Sequence, residues 1–397
     1  MPTALAAPAF LAGAAVSLLT SLVLVTRLER VGERLGLSEA LLGIVAALAA
    51  DAPEVTAAVT AVAHHQPQVG AGVILGSNVF NLAALLGLGA VVAGRINLHR
   101  KVVLLGGILA VWVAAVSLTV VVGAVPAAWG LAMAGGVLAL YLVVLGREGR
   151  GLERLPIPRR WAAWLRSAVS EEELELEEAI RPARGRWTDA LAAVLALTVV
   201  IAASVTMERA ASVLGARWAV PELVTGGLVL AAVTSLPNAV AAVYLAARGR
   251  GAATLSTALN SNTLNVVAGL LVPAAVLGLG RPSGQAVLIT VWYVLLTLAV
   301  LALAYRHRGL RRVTGALIIV AYAAFAGSVL AAGYAIAAAA ATAVVLGAGA
   351  ACALAAAWPA GGGRRLARAR ADVERRGVAG SPGRRKRDAA GVSRWVR

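Results

Sequence analysis

Two acidic residues stand inside an apolar segment near the amino terminus, where charge is costly. Of the 19 Asp and Glu residues, only Asp51 and Glu54 fall deep within an apolar segment long enough to cross a membrane. A charge at mid-membrane costs at least about 2.5–3.5 kcal/mol on insertion scales, and neighbouring carboxylates also repel each other. Because the two are three residues apart, a helix would hold them on one face. The pair therefore predicts a site for a proton or a cation.

Two prolines add main-chain oxygens to this prediction. Pro53 has no amide proton, so the carbonyl of Ala49 loses its helical donor, and Pro237 acts in the same way on the carbonyl of Val233. An unbonded carbonyl is costly in lipid, but beside a cation it becomes a ligand. Interrupted helices of this kind are typical of substrate sites in secondary transporters.

Hydroxyl and amide side chains supply further oxygen atoms at helical spacing. Ser77 and Asn81 are four residues apart and share a helical face, and Ser261 and Asn265 repeat the arrangement. The side chains predicted to supply oxygen ligands to a cation are Asp51, Glu54, Ser77, Asn81, Thr234, Ser235, Asn238, Ser261 and Asn265, with the two acids as the charged metal ligands. An all-oxygen site favours hard cations such as calcium or sodium, and no span interior offers His for a softer metal.

The segments that carry these donors are copies of each other. Shifting the chain by 184 residues matches polar motifs without a gap. The coinciding pairs are Gly43 with Gly227, Pro53 with Pro237, Ser77 with Ser261, Asn78 with Asn262 and Asn81 with Asn265. Matches of Pro, Ser and Asn within apolar segments rarely arise by chance, so the pattern indicates an internal repeat.

The elements that must position this site are membrane helices. Hydrophobic residues make up 60% of the 397, charged residues only 14%, and the mean hydropathy is +0.83. A soluble domain is about 45–50% apolar and about 25% charged. Eleven apolar spans are predicted, at 4–25, 38–63, 69–94, 102–123, 126–145, 188–206, 222–247, 253–278, 284–305, 313–332 and 335–358.

Basic residues predict the orientation of these spans. The odd-numbered gaps between spans hold 21 Lys and Arg residues and the even-numbered gaps only three. By the positive-inside rule, the amino terminus lies outside a plasma membrane, and the central loop and the basic tail lie in the cytoplasm. Basic residues in this layout indicate topology and not nucleic-acid binding, so the lipid bilayer is the predicted partner of the chain. The oligomeric state is left open.

The predicted fold is an all-α polytopic membrane protein with ten core transmembrane helices in a 5+5 inverted repeat, plus one carboxyl-terminal helix. Five spans separate each motif from its copy, and an odd number inverts the copy in the membrane. The predicted parts are residues 1–146 (first repeat), 147–187 (cytoplasmic loop), 188–332 (second repeat), 333–358 (extra helix) and 359–397 (tail). The acidic run at 171–178 in the loop predicts a solvated surface helix.

The two repeated segments resemble the paired α-repeats of the cation/calcium antiporter family, which includes the sodium/calcium exchangers. That family carries Gly-Thr-Ser-x-Pro-Glu followed by Gly-Ser-Asn-x-x-Asn, or a variant ending in Asp, in each repeat. The matching residues here are Pro53, Glu54, Gly76, Ser77, Asn78 and Asn81, then Thr234, Ser235, Pro237, Ser261, Asn262 and Asn265. The resemblance implies that main-chain oxygens of Ala47 and Ala231 also serve the site, and that spans one and six slide across the core.

The chain departs from the family pattern at its charged positions. Asp51 stands where Ser is expected, and Asn238 stands where the second Glu is expected. Two acids remain, enough to balance one calcium ion, but both now come from the first repeat. Without a metal they would share a proton, so protons are a rival to sodium as the coupling ion.

The predicted function is secondary active cation antiport by alternating access, with calcium exchanged for sodium or protons. A proton-coupled antiporter of sodium or another cation is one alternative, and a non-transporting regulatory homologue, suggested by Asn238, is another. The chain is not predicted to be an enzyme, because an intramembrane protease needs catalytic partners that the spans lack. No cofactor is expected beyond the transported Ca²⁺, Na⁺ or H⁺.

Overall fold

The protein is a bundle of long helices joined by short connections. The computed structural model describes residues 2–37, 39–146, 158–177, 185–280 and 283–334. The predicted eleventh span at 335–358 and the tail at 359–397 lie outside these residues. Within the central loop, the described residues are mainly those of one helix.

The described residues before the central loop form seven α-helices, one π-helical segment and one short strand. In chain order they are α1 (Thr3–Leu35), α2 (Glu39–Ala50), α3 (Ala52–Ala63), α4 (Pro67–Asn81), the π-helical segment π1 (Leu82–Leu88), α5 (Gly89–Ala93), β1 (Arg95–Asn97), α6 (Arg100–Val121) and α7 (Ala127–Gly146). The helix of the central loop is α8 (Arg159–Glu177), which covers most of the acidic run that was predicted to be helical.

The second half repeats the five spans, but it has an additional π-helical segment in its second span, and its strand follows the fourth span, not the third. Its elements are α9 (Trp187–Arg217), α10 (Glu222–Val224), the π-helical segment π2 (Thr225–Leu230), α11 (Ala231–Thr234), α12 (Leu236–Ala247), α13 (Gly251–Leu264), the π-helical segment π3 (Asn265–Leu271), α14 (Val272–Leu277), α15 (Gly284–His307), β2 (Gly309–Arg311) and α16 (Arg312–Tyr334).

Ten membrane spans follow from these helices. Eight described helices are long and apolar enough to cross a membrane, and two bent pairs bring the total to ten when each pair counts as one span. The pairs join Ile44–Ala50 to Ala52–Ala63, bent by 51°, and Glu222–Thr234 to Leu236–Ala247, bent by 48°. Five spans lie on either side of the central loop, which confirms the predicted all-α polytopic fold with two related halves.

The bends occur next to the repeated prolines. The first break falls at Asp51 and the second at Ser235, so in each pair Pro is the second residue of the following helix. Pro is tolerated there because the first-turn amides need no helical acceptor. The helix is therefore interrupted at Asp51, as Pro53 predicted, and Glu54 lies in the first turn of the helix that follows.

The third span forms the centre of the bundle, and the first span lies at its edge. In the most apolar stretch of Pro67–Ala93, 94% of residues are buried, against 22% for Thr3–Leu35. Glycines permit the close crossing of α4 with π2, because a Cβ on Gly76 would lie 2.8 Å from the carbonyl carbon of Gly227. A Cβ on Gly72 would lie 3.0 Å from the amide nitrogen of the same residue.

The peripheral helices α1 and α9 pack against each other. A Cβ on Gly13 would lie 3.0 Å from the carbonyl oxygen of Ala203, and the hydroxyls of Ser17 and Ser204 are 3.4 Å apart. At one end Arg27 forms an ion pair of 2.6 Å with Asp189. Both helices are longer than the predicted spans 4–25 and 188–206, since helical hydrogen bonding continues where the apolar run stops.

A two-stranded ribbon joins the two halves at one end. β1 pairs antiparallel with β2, and Ile96 lies opposite Leu310. The sequence analysis did not predict these strands, because three residues are too few to show an alternating pattern.

Candidate functional site

The first acidic residue lies at the break between α2 and α3, in the interior of the protein. Asp51 is fully buried, and its Oδ1 accepts a hydrogen bond of 2.6 Å from Nδ2 of Asn238. The same oxygen accepts a second bond of 2.5 Å from the hydroxyl of Ser261. Both donors belong to the second half of the chain, so this carboxylate reaches across to the other repeat.

The second acidic residue makes a parallel contact from the first turn of α3. Glu54 is fully buried, and its Oε2 accepts a hydrogen bond from Nδ2 of Asn265. The same amide nitrogen also donates to Oδ1 of Asn78 at 3.2 Å. The two acids therefore come from one repeat, while their hydrogen-bond donors come from the other.

Asn81 on α4, in the third span, is hydrogen-bonded to α13, the copy of this span in the second repeat. Its Nδ2 donates to the hydroxyl of Ser261 at 3.2 Å and to Oδ1 of Asn262 at 3.1 Å. Asn238 also donates to Ser261, at 3.2 Å. Six of the predicted cation ligands thus form two hydrogen-bonded groups. One group is Asp51, Asn238, Ser261 and Asn81, and the other is Glu54 and Asn265.

The remaining predicted ligands lie beside this network. Ser77 and Thr234 bond to main-chain carbonyls, and the hydroxyl of Ser235 has no hydrogen-bond partner among the described residues. The hydroxyl of Ser77 donates to the carbonyl of Ala231 at 3.4 Å, and that of Thr234 donates to Leu230 at 2.8 Å within its own helical turn. Ser235 is fully buried at the second break. The carbonyl of Ala47 accepts the amide of Asp51 at 2.9 Å. The carbonyl of Ala231 accepts the amide of Ser235 at 3.2 Å as well as the hydroxyl of Ser77, so both implied main-chain oxygens are already hydrogen-bonded.

Several buried oxygen atoms of the cluster accept no hydrogen bond from the part of the chain that the structure describes. Among the described residues, the buried acceptors without a hydrogen-bond partner include five carboxylate or carboxamide oxygens of the predicted site. They are Oδ2 of Asp51, Oε1 of Glu54, Oδ1 of Asn81, Oδ1 of Asn238 and Oδ1 of Asn265. Buried polar atoms are rarely left unpaired because desolvation without a partner is costly. A cation coordinated by these oxygens would satisfy them together.

The charge of the cluster suits a small cation of low charge. Asp51 and Glu54 are the only acids in it, and within the described ranges no group of three or more His, Cys, Asp and Glu side chains comes together as a metal site. Hard cations take carboxylate, carbonyl and hydroxyl oxygens in this way. Two carboxylates would balance one divalent ion, or two monovalent ions.

A cavity of about 440 Å³ reaches this site from one end of the bundle. Ala47 and Asn238 line it near the helix breaks, and Glu29 and Tyr244 line it nearer the loops. The neighbouring loops hold basic residues of the odd-numbered gaps. At the opposite end a cavity of about 300 Å³ is lined by Gln68 and its neighbours, and none of the predicted site residues lines it.

The difference between the two ends follows from one departure from the repeat. Gly76 packs closely on Gly227, and this crossing closes the end away from the basic loops. The residue 184 positions after Gly76 is Asn260, which lines the larger cavity. Asn260 carries a side chain where Gly76 has none, and of the two cavities within the described residues only the one that Asn260 lines also contacts predicted site residues.

Three buried polar residues were missed as site or near-site residues. Asn78 and Asn262 were recognised as repeat matches but not as structural partners, although their side chains are buried in the cluster. Glu208 was placed outside the sixth span, and this was wrong. It lies within α9 and is only 1% exposed, because the helix continues past the apolar run and packs against α3.

The family described as sodium/calcium exchanger protein matches two stretches of this chain, residues 5–147 and 189–331. Each stretch contains one copy of the repeat and stops at the central loop. None of the curated proteins matches the sequence.

Three solved structures that resemble this chain have low sequence identity with it. The crystal structure of the H+/Ca2+ exchanger CAX is 10% identical, with a TM-score of 0.62 over 89% of this chain and 92% of that chain. The structure of native YfkE is 15% identical, with a TM-score of 0.55 over 83% of this chain and 93% of that one. The sodium-calcium exchanger NCX_Mj is 18% identical, with a TM-score of 0.48 over 81% and 97%.

Proposed function

The chain belongs to the sodium/calcium exchanger protein family, and on that premise we propose that its buried oxygen cluster binds calcium and exchanges it for sodium or protons. Membership of this family makes it a multi-pass membrane protein that transports inorganic cations in exchange. The residues that bind the cations, the identity of the coupling ion and the orientation in the membrane belong to the proposal.

The observation that carries this proposal is the set of unpaired acceptors around the two acids. Asp51 and Glu54 each use one carboxylate oxygen for hydrogen bonds from the second repeat and keep the other without a partner among the described residues. Asn238 supplies a carboxamide oxygen to the same region. A bound cation would replace the repulsion between the two carboxylates by attraction to both.

The replacement of the second family glutamate by Asn238 is compatible with transport. The amide nitrogen of Asn238 donates to Asp51, and its oxygen remains free to face a cation. Asp51 supplies the charge that a glutamate would otherwise bring. This arrangement supports a working exchanger over a non-transporting homologue.

The open cavity supports alternating access. If the basic loops face the cytoplasm, the larger cavity leads from the cytoplasm to Asn238, and the Gly76–Gly227 crossing closes the outer side. The helices α1 and α9 would then move together across the core to open the outer side, since they pack on each other and an ion pair joins them.

The test is calcium uptake by lipid vesicles that contain the full-length protein. Calcium uptake driven by an outward sodium gradient, unaffected by a protonophore, is expected for sodium coupling. Uptake driven only by a pH gradient is expected for proton coupling. A protein that carries no calcium under either gradient, while the same vesicles remain sealed and the protein folded, would overturn the proposal.

The same vesicles distinguish the second candidate. A proton-coupled antiporter of sodium would move sodium under a pH gradient and would not be inhibited by external calcium. Its basis is the position of both acids on one repeat, which allows them to share a proton in the absence of a divalent ion. The family transports ions, and we expect no enzymatic reaction at this site.

A further inference from the structure

A third buried carboxylate lies outside the central cluster, on the helix α9. Glu208 is 1% exposed, and neither of the two ion pairs found among the described residues includes it. Its Oε1 is 3.0 Å from the hydroxyl of Ser212, and its Oε2 is buried without a hydrogen-bond partner within the described residues. A buried acid with no cationic partner must carry a proton or bind a cation, because the unpaired charge would be costly.

The hydrogen bonds of Ser212 favour a proton over a cation at Glu208. Its single hydroxyl lies 3.0 Å from Oε1 of Glu208 and 3.0 Å from Oε1 of Gln66, yet one hydroxyl has only one proton to donate. A protonated Glu208 completes the chain, since it donates to Ser212 and Ser212 donates to Gln66. The three side chains then form an ordered relay from α9 to the turn between α3 and α4.

The surroundings do not suit a metal ion. Among the described residues, the hydrogen bonds at this point bring together side-chain oxygens of Glu208, Ser212 and Gln66, fewer than the six or more that calcium takes. The charged and titratable neighbours are Arg209 on α9 itself and His64 at the end of α3. The part of α1 before Arg27 and the segment π2, which also pack near α9, contain no ionisable side chain.

His64 lies between Arg209 and the main chain of α3. Arg209 can only donate, so Nε2 of His64 accepts from its guanidinium at 3.3 Å. Nδ1 therefore carries the ring proton and donates to the carbonyl of Thr60 at 2.8 Å. Neither the exposed guanidinium of Arg209 nor the ring of His64 forms an ion pair with Glu208 among the described contacts.

We propose that Glu208 is a proton-binding site on α9, separate from the central cluster, and that its proton holds α9 against the turn between α3 and α4. From Glu54 to the end of α3 at Ala63 is nine residues, about 14 Å along the helix axis, and Ser212 meets Gln66 just beyond that end, which has few basic residues. Loss of the proton, released to water on that side, leaves a carboxylate that can no longer donate to Ser212. The contact between α9 and Gln66 then weakens, and α9 is freed to move.

The direct test is infrared difference spectroscopy of the full-length protein in lipid, recorded as pH is changed. The wild-type protein is expected to show a carboxylic-acid carbonyl band that the Glu208→Gln variant lacks. Glu222→Gln is the matched control, since Glu222 is an exposed acid near the same end, and its spectrum should keep the band. Ser212→Ala should retain the acid but move the band, because the acceptor of its proton is gone.

Three results would overturn the proposal. Identical spectra of wild type and Glu208→Gln would mean that the carboxyl is not protonated, as expected if Gln66 instead donates through its amide nitrogen to Ser212. Loss of the same band in Glu222→Gln would remove the assignment to Glu208. A calorimetric titration in which Glu208→Gln binds one calcium fewer than wild type would show a metal site.

The consequence for gating rests on the proposed antiport and has its own measurement. Lowering the pH on the outer side should slow exchange in wild type and in Glu222→Gln, because proton binding holds the closed outer side. Glu208→Gln should lose this pH dependence. If the protein carries no cation at all, the infrared result still decides the proton site, so the two proposals fail separately.

Discussion

Asn78 and Asn262 donate to each other's main chain across the centre of the bundle. Nδ2 of Asn78 bonds to the carbonyl of Asn262 at 3.0 Å, and Nδ2 of Asn262 bonds to the carbonyl of Asn78 at 3.0 Å. The residues are 184 positions apart, the offset that relates the two copies of the repeat. A reciprocal pair of equal length is what a two-fold relation between the halves requires.

The serines next to these asparagines break that symmetry. Ser77 donates to the carbonyl of Ala231, and the symmetric partner of that contact would join Ser261 to Ala47. Ser261 donates instead to Oδ1 of Asp51. The difference arises because Asp51 stands where the second repeat has Ser235, so a charged acceptor competes with a carbonyl and wins.

The charge of Glu54 is expected to be essential for transport. Glu54→Gln preserves the size of the side chain but removes one of two charges that a cation needs. Breaking a buried charged interaction costs about 3–5 kcal/mol, and each 1.4 kcal/mol is a tenfold loss of affinity, so calcium affinity should fall at least about 100-fold. Calcium uptake under each gradient is the measurement, with Glu222→Gln as the control at an exposed position. Uptake at the parental rate would contradict the site assignment.

Asp51→Ser is expected to change ion preference. The substitution leaves one carboxylate in the site and restores the residue found at the copied position, Ser235. A site with one charge should favour a monovalent over a divalent cation. Titration calorimetry with calcium and with sodium measures the change.

The paired variant Asp51→Ser with Asn238→Glu should recover calcium binding. It returns the second charge to the site from the other repeat. If the double variant binds calcium no better than Asp51→Ser alone, the charge count does not determine selectivity and this prediction is wrong.

The close crossing at Gly76 is expected to be sensitive to a single methyl group. Gly76→Ala would place a Cβ 2.8 Å from the carbonyl carbon of Gly227, a contact that main chain can relieve only by moving apart. Overpacking of this kind costs about 1–3 kcal/mol, so the melting temperature in detergent should fall. Gly135→Ala is the control, because a Cβ at that position would have no neighbouring atom within 4 Å among the described residues. Equal melting temperatures for the two variants would contradict a tight crossing.

The reciprocal asparagine pair should contribute to stability in a coupled way. Asn78→Ala and Asn262→Ala each remove the side-chain donor to a buried carbonyl that keeps its main-chain donor, at about 0.5–1.5 kcal/mol apiece. The two residues contact each other, so the double variant should depart from the sum of the single variants by more than about 0.5 kcal/mol. Chemical unfolding in detergent gives the three values. Strict additivity would mean that the two bonds act independently.

Much of the architecture could be predicted from the sequence. Apolar runs of about twenty residues are needed to cover a bilayer core, and they predicted the ten described spans. The exact offset of 184 between Pro53 and Pro237 placed both helix breaks within two residues of where they occur. The nine oxygen-bearing side chains were predictable because polar groups inside a membrane must have a partner, and each of them is buried.

Tertiary structure alone decided how these groups are paired and which end is open. Whether Ser261 bonds to a carbonyl or to Asp51, and whether Glu208 ends a helix or is buried within one, depends on residues far away along the chain. The opening toward the site depends on Gly76 meeting Gly227 while Asn260 meets no such surface. Spacing along a chain fixes which side chains share a helical face, but the distance between two helices is set by every side chain that packs between them.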